Sequence, residues 1–398
     1  MKKLTILYTD CGYGHVATAN ALKRELEEAG TYRVDIIDVY RDVLESIDPF
    51  LHTVGISGPD IYNKLVLQRG HTRLLYPVVA AITAISMAVT SRNLSKRLAG
   101  YCAKYDPDLI LSVMPMINGA AARSVKRMAK RTPFATLVTD FAEFARGVWI
   151  HDRSNQYIIC GTDRCAEQAR AFGIPDAKIF KLDGVIISPD FHKQNAQTQT
   201  GEDGARPRHP ELSQDLLTGL MMFGGRGSDR MLDYATAIER SALPVQMIYA
   251  CGTNSALADK IRSLPSERPR LVLGLTDKMY EYMGCSDFFV GKPGPASIAE
   301  ARYSQLPMIL EFGKNTLLQE RYNALWARDQ EIALLFKGLG DLVATIAKLI
   351  EPGTHRMIKS RLHGSSNTAI AELPSVLEQI TAAHAQGAPI SATAPLSA

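Results

Sequence analysis

Tryptophan occurs only twice in the 398 residues, and no apolar run reaches the roughly 20 residues that crossing a bilayer requires. Cysteine is sparse and scattered. Cys11, Cys102, Cys160, Cys165, Cys251 and Cys285 form no CxxC pair and no zinc-like spacing, which argues for buried thiols in a reducing compartment. Charge is nearly balanced, 45 basic against 41 acidic residues, so the totals suggest no nucleic-acid partner. No secretory leader is expected at the start of this sequence. The apolar stretch after Lys3 is cut by Asp10 and Gly12 at about five residues, short of the roughly 7–15 of a signal core. It reads as a first β-strand of a cytoplasmic protein.

What is present is ordinary globular material in a long chain. Hydrophobic residues make up 46%, and 398 residues exceed what one compact core accommodates, so two domains are expected. Short apolar runs alternate with helical spacing, the pattern of parallel α/β units. Strands are predicted at residues 5–8, 34–39, 109–113, 135–138, 156–159 and 179–181, then at 217–223, 244–249, 270–273, 288–290 and 308–310. Between the two sets, residues 192–213 are rich in Gln, Asn, Thr, Gly and Pro and offer nothing for a core, so they read as an exposed linker. The expected layout is a first domain over 1–191, that linker, a second domain over 214–382, and a disordered tail over 383–398.

In the second half a predicted strand runs into Gly291-Lys292-Pro293-Gly294-Pro295-Ala296-Ser297 and then a helix through Glu300. A glycine-bearing turn opening a helix presents free backbone N–H groups and the positive end of the dipole, an anion site suited to a diphosphate. Ser297 and Glu300 are also spaced as a capping box, which would only satisfy the helix start. A second such loop, Gly224-Gly225-Arg226-Gly227, follows the first strand of this half. Polar residues Gln319, Glu320 and Asn323 follow the strand at 308–310, and groups at the mouths of adjacent strands converge on one crevice.

In the first half the opening strand leads into Gly12-Tyr13-Gly14-His15 and a helix. His15 falls in that helix's first turn, where the dipole disfavours imidazolium, so it is expected neutral near pH 7, as a general base must be. The alternative is a histidine that merely packs the loop. Asp106-Pro107-Asp108 precedes a strand and reads as a capping turn, and no metal site is predicted.

These segments, in this order, resemble the monogalactosyldiacylglycerol synthases and bacterial diacylglycerol glucosyltransferases, relatives of the lipid II GlcNAc transferase in glycosyltransferase family 28. The resemblance covers the glycine turn and His15, the strands around Ser112 and Thr139-Asp140, Trp149-Ile150-His151, and the donor-side loops. It implies a GT-B fold, two Rossmann-like domains facing a central cleft, and metal-independent, inverting transfer of a hexose from a UDP-sugar with no cofactor. His15 would take the acceptor proton, with Asp140 and His151 positioning acceptor or sugar. Gly224, Gly225, Arg226 and Gly227, with Lys292, Pro293, Gly294, Pro295, Ala296 and Ser297, would hold the diphosphate. The Leu275–Met279 stretch, with Thr276, Lys278 and Met279, would line the uracil pocket; Glu300 would bind ribose, and Gln319 and Glu320 the sugar. Two departures stand out: Ala296-Ser297 where the family has Gly-Thr or Gly-Ser, and Leu317-Leu318 where it has Pro-Gly.

From Ile61 to Tyr105 there is no Asp or Glu, while Arg69, Arg73, Arg92, Lys96 and Arg97 flank an uncharged, largely apolar stretch from Leu74 to Ser91. Cationic flanks are drawn to anionic headgroups, so peripheral docking on the inner face of a membrane is expected. The alternatives for Leu74–Ser91 are a core helix and a membrane span, the latter weakened by Pro77 and the many alanines. The acceptor would be a lipid hydroxyl, diacylglycerol or a related glycolipid. A UDP-GlcNAc 2-epimerase on the same scaffold needs no lipid, and a nucleotide-binding membrane protein without catalysis needs no base; these are the competing readings.

Overall fold

The computed structural model describes residues 1–48, 51, 55–64, 92–151, 156–193 and 208–386. Arg69, Arg73 and Leu74–Ser91 lie outside the described residues.

Two six-stranded parallel sheets organise the chain. The first holds β1 (Lys2–Tyr8), β2 (Tyr32–Asp38), β3 (Leu109–Ser112), β4 (Phe134–Leu137), β5 (Tyr157–Cys160) and β6 (Ile179–Lys181), in the order β2-β1-β3-β4-β5-β6. The second holds β7 (Leu217–Met222), β8 (Val245–Ala250), β9 (Arg270–Leu273), β10 (Phe288–Gly291), β11 (Met308–Glu311) and β12 (Ala333–Phe336), in the order β12-β11-β10-β7-β8-β9. Strands β3, β4, β5, β8 and β10 are buried along their whole length, as a parallel sheet covered by helices on both faces requires.

Strand order reverses once in each sheet, between β1 and β3 and between β7 and β10. At such a point the crossovers leave on opposite faces and a crevice opens beyond the strand ends. The register pairs Gly291 with Met222, so the loops that follow β7 and β10 emerge side by side. A Cβ on Gly224 would lie 3.1 Å from Cε of Lys292.

The chain departs from the expected layout in three places. Residues 208–213, assigned to the linker, are fastened to the second domain. Arg208 pairs with Asp287 at 2.5 Å, the Ser213 N–H donates to Gln246 Oε1, and Leu212 joins the core. Residues 194–207 lie outside the described residues. The helix Ala369–Gln386, assigned largely to the second domain, packs Ile370, Leu373, Leu377 and Ile380 into the first-domain core beside Leu22 and Leu26. Asn367 secures the return by donating to the Val185 carbonyl at 2.9 Å. The expected tail therefore begins inside this helix, and residues 387–398 lie outside the described residues. Strand β12, a short apolar run soon after the helix Leu318–Asp329, was also not anticipated.

Leu377 is fully buried in the first-domain core, so Leu377→Ala is expected to lower stability by about 2–5 kcal/mol. Urea denaturation measures this, and a loss under about 1 kcal/mol, the range of a surface change, would mean the helix does not belong to that core.

Candidate functional site

One cavity of about 1490 Å³ lies between the two domains and is lined from both. On the first-domain side the β1 loop enters the helix Tyr13–Glu28 through Gly12, whose φ of 71° suits glycine. His15 is the third helical residue. Its Nδ1 lies 3.5 Å from Thr139 Oγ1, and its ring meets Trp149 edge-on at 6.1 Å. Burial strips water from the imidazole and holds its pKa down to about 4, with the Val113 backbone pulling weakly the other way.

Trp149 links His15 to Asp140. The indole Nε1 donates to Asp140 Oδ2 at 2.9 Å, and Trp149 is fully buried. Burial raises the Asp140 carboxyl to about 6; the indole hydrogen bond lowers it, Glu320 raises it and Lys292 lowers it. Those last two residues belong to the other domain, so its charges are felt at Asp140. His151 lies on the cleft wall, its ring packed over Gly119, where a Cβ would sit 2.9 Å away. Burial and the nearby Arg123 both lower its pKa.

On the second-domain side the glycine loop turns through Gly224 and Gly227, at φ 82° and 64°, and the Gly227 N–H donates to the Gly224 carbonyl. The helix Pro295–Tyr303 starts behind Gly294 with proline in its first turn and no side-chain cap. Ser297 and Glu300 are therefore inside the helix, one turn too late for the capping box, and its first N–H groups are left to the cleft. Glu300 lines the cavity, and burial raises its carboxyl to about 8. Lys292 Nζ contacts Glu320 Oε1 at 2.6 Å, and Gln319 Oε1 is buried with no partner among the described residues.

Gly225, Arg226, Ala296, Thr276 and Met279 also line the cleft. Three expected donor-side residues do not. Asn323 is fully buried beneath the turn, its Nδ2 donating to the Pro293 carbonyl at 3.0 Å, so both Asn323 and Pro293 brace the loop from behind. Lys278 turns outward to Glu281 at 3.5 Å. At the sugar end the two leucines separate: Leu317 is buried, whereas Leu318 is 67% exposed on the cavity wall.

Sequence reasoning missed two ionic features. Arg226 of the glycine loop reaches across the cleft to Asp10 at 2.6 Å. Under the same loop Arg230 grips Glu311 through 2.5 and 2.6 Å hydrogen bonds, and Tyr234 donates to the same carboxylate. No local spacing signals either, because each joins residues far apart in the chain.

Residues 15–186 match the family model described as monogalactosyldiacylglycerol (MGDG) synthase. Over this segment the chain is similar to that family. A soybean (Glycine max) relative bearing the monogalactosyldiacylglycerol synthase name is 31% identical over 78% of this chain. The chain spans only 58% of that relative's length. The processive diacylglycerol β-glucosyltransferase of Bacillus licheniformis is 25% identical over 95% of each chain. Among solved structures, MurG of Acinetobacter baumannii superposes with a TM-score of 0.58 at 13% identity, covering 95% of this chain and 100% of MurG. The fold is GT-B, as in MurG. The matched segment begins at His15 and takes in His151 and Asp140, the latter joined to His15 through Trp149.

The His15 shift carries a sign. Folded His15 takes its proton near pH 4 and the unfolded residue near 6.5, so between those values the unfolded chain binds more protons. Its contribution to stability is full above 6.5 and is lost as pH falls toward 4. Asp140 acts oppositely between 3.8 and 6, so the readout is the difference between wild type and His15→Gln. The variant is expected to lose part of the acid-side decline, and the wild-type ring to titrate by NMR well below pH 6. A ring titrating near 6.5 would show an imidazole open to bulk water.

Proposed function

We propose that this protein transfers a hexosyl group, with inversion, from a UDP-sugar to a lipid hydroxyl, that of diacylglycerol or a related glycolipid. The observation that carries the reading is a neutral imidazole facing, across one cleft, two glycine-bearing loops at a strand-order reversal. His15 removes the acceptor proton as the oxygen attacks the anomeric carbon from the side opposite UDP. The uncapped helix start at Gly294 and the Gly224–Gly227 turn stabilise the charge that grows on the departing diphosphate. Lys292 and Arg226 supply positive charge there in place of a metal ion. Glu300 receives the ribose hydroxyls, and Gln319, with its unused acceptor, a sugar hydroxyl.

The first-domain half of the cavity includes Leu44, Leu94, Met114, Met116 and Ile117, an apolar lining suited to an acyl chain. That lining favours a lipid acceptor over 2-epimerisation, which needs none, and the positioned base favours catalysis over binding alone. Among the described residues no helix is long and apolar enough to cross a membrane. The helix at 92–103 buries Leu94 and Leu98 and exposes Arg92, Lys96 and Arg97 as one basic stripe. We read that stripe as the contact with an anionic membrane surface, on its cytoplasmic side.

A panel of UDP-sugars assayed with diacylglycerol and with extracted lipid tests the activity, and absence of lipid-dependent UDP release would refute it. His15→Ala is expected to lower transfer by about 10²–10⁴-fold while UDP affinity stays within about twofold. Near-normal turnover in that variant would remove His15 as the base. Replacing Arg92, Lys96 and Arg97 together by Gln should reduce co-sedimentation with vesicles containing phosphatidylglycerol. Unchanged sedimentation would detach the basic stripe from the membrane.

A further inference from the structure

Asp10 belongs to the acceptor-side loop, yet its carboxylate is engaged by the donor-side glycine loop. Its Oδ2 lies 2.6 Å from Arg226 Nη2, with the two side chains 48% and 26% exposed. Beside this pair the Tyr13 side chain covers Gly225 so closely that a Cβ there would sit 2.6 Å from Tyr13 Cβ. The contact is only half used. Asp10 Oδ1 and Arg226 Nε are both buried with no partner among the described residues. A guanidinium with a free N–H, held by one oxygen of one carboxylate, is not at its best arrangement. Arginine binds phosphate or carboxylate most strongly through two parallel hydrogen bonds.

The backbone that carries Asp10 is held separately. Asn63, 4% exposed, donates from Nδ2 to the Asp10 carbonyl at 2.8 Å and accepts the Gly12 N–H at Oδ1 at 2.9 Å. The Asp10 side chain can therefore swing away by rotation while the loop leading to His15 stays in place. The turn that carries Arg226 is held as well, wedged against the next strand end: a Cβ on Gly252 would fall 2.0 Å from the Gly225 carbonyl oxygen.

We propose that Asp10 is a built-in competitor of the donor diphosphate for Arg226. Resting on the reading that the glycine loop holds the diphosphate, the exchange runs as follows. Without donor, Asp10 neutralises Arg226 and clasps the two domains together. An arriving diphosphate, with at least two negative charges and several acceptor oxygens, offers the guanidinium both its parallel bonds and takes it from Asp10. The carboxylate is released toward the His15 loop, on the acceptor side. Asp10 thus weakens donor binding, and the release ties donor occupancy to the acceptor half of the cleft.

Calorimetry of UDP binding to the full chain tests this, using wild type, Asp10→Ala, Asp10→Asn, Arg226→Ala and the double variant Asp10→Ala/Arg226→Ala. Both Asp10 variants are expected to bind UDP about three- to tenfold more tightly, as removal of a half-buried competing charge allows. Arg226→Ala should bind more weakly, and the double variant should match it, the gain having required Arg226. Thermal midpoints verify folding, and Asp10→Asn keeps the side-chain shape should Asp10→Ala misfold. Unchanged or weaker binding in a folded Asp10 variant, or a gain that persists without Arg226, overturns the proposal. If wild type binds no UDP, the functional reading itself fails; if it binds and Asp10→Asn shows no gain, only the exchange fails.

Discussion

Parallel strands must be joined by crossovers, and a sheet with helices on both faces can be built only by winding outward in two directions from one starting pair. At that pair the loops part and nothing of the chain fills the gap. In this protein the starting pairs are β1 with β3 and β7 with β10, and every group assigned to chemistry hangs from the carboxyl ends of those strands or their neighbours. His15 follows β1, the Gly224 turn follows β7, and Lys292 follows β10. The parallel ladder makes the crevice, and the residues that crowd it are a consequence.

The same crowding sets the electrostatics. Titratable side chains in the cleft are pushed toward their neutral forms, His15 and His151 downward and Asp140 and Glu300 upward, and desolvation is the largest cause for each. A cleft that disfavours charge on its own side chains also disfavours stray water and ions, and it strengthens whatever fixed dipoles point into it. Several retained charges are paired, as Lys292 with Glu320, Arg230 with Glu311 and Arg226 with Asp10. The uncharged groups suit proton transfer and hydroxyl recognition, and the paired cations suit an anion that can displace their partners.

Much of this was legible in the residue order because it depends on short-range rules. The alternation of apolar runs with helical spacing gave the strands of both sheets except β12, and glycines at strand ends marked the two loops that line the second-domain side of the cleft. His15 was legible as a neutral imidazole, although burial, not the helix dipole, is what holds its pKa down. What escaped was set by contacts distant in sequence. Asn323 carries a polar side chain in a suggestive segment, but only the packed structure shows it serving the Pro293 carbonyl from behind. Residues 208–213 look like linker by composition, and a single buried Leu212 with the Arg208–Asp287 pair outweighs that composition. Trp149 matched the family motif, yet its role as the link between His15 and Asp140 is a matter of three-dimensional placement.

The return of the helix Ala369–Gln386 to the first domain has a mechanical result. The chain crosses from one domain to the other between residues 193 and 208, and crosses back near Asn367. Bodies tethered at a single point can swivel in any direction, whereas bodies tethered at two points turn easily only about the line joining them. The two halves of the cleft are thereby limited to one soft rotation, like a book on its spine. Such a joint lets His15 and the glycine-bearing loops come apart and meet again in the same alignment on every cycle.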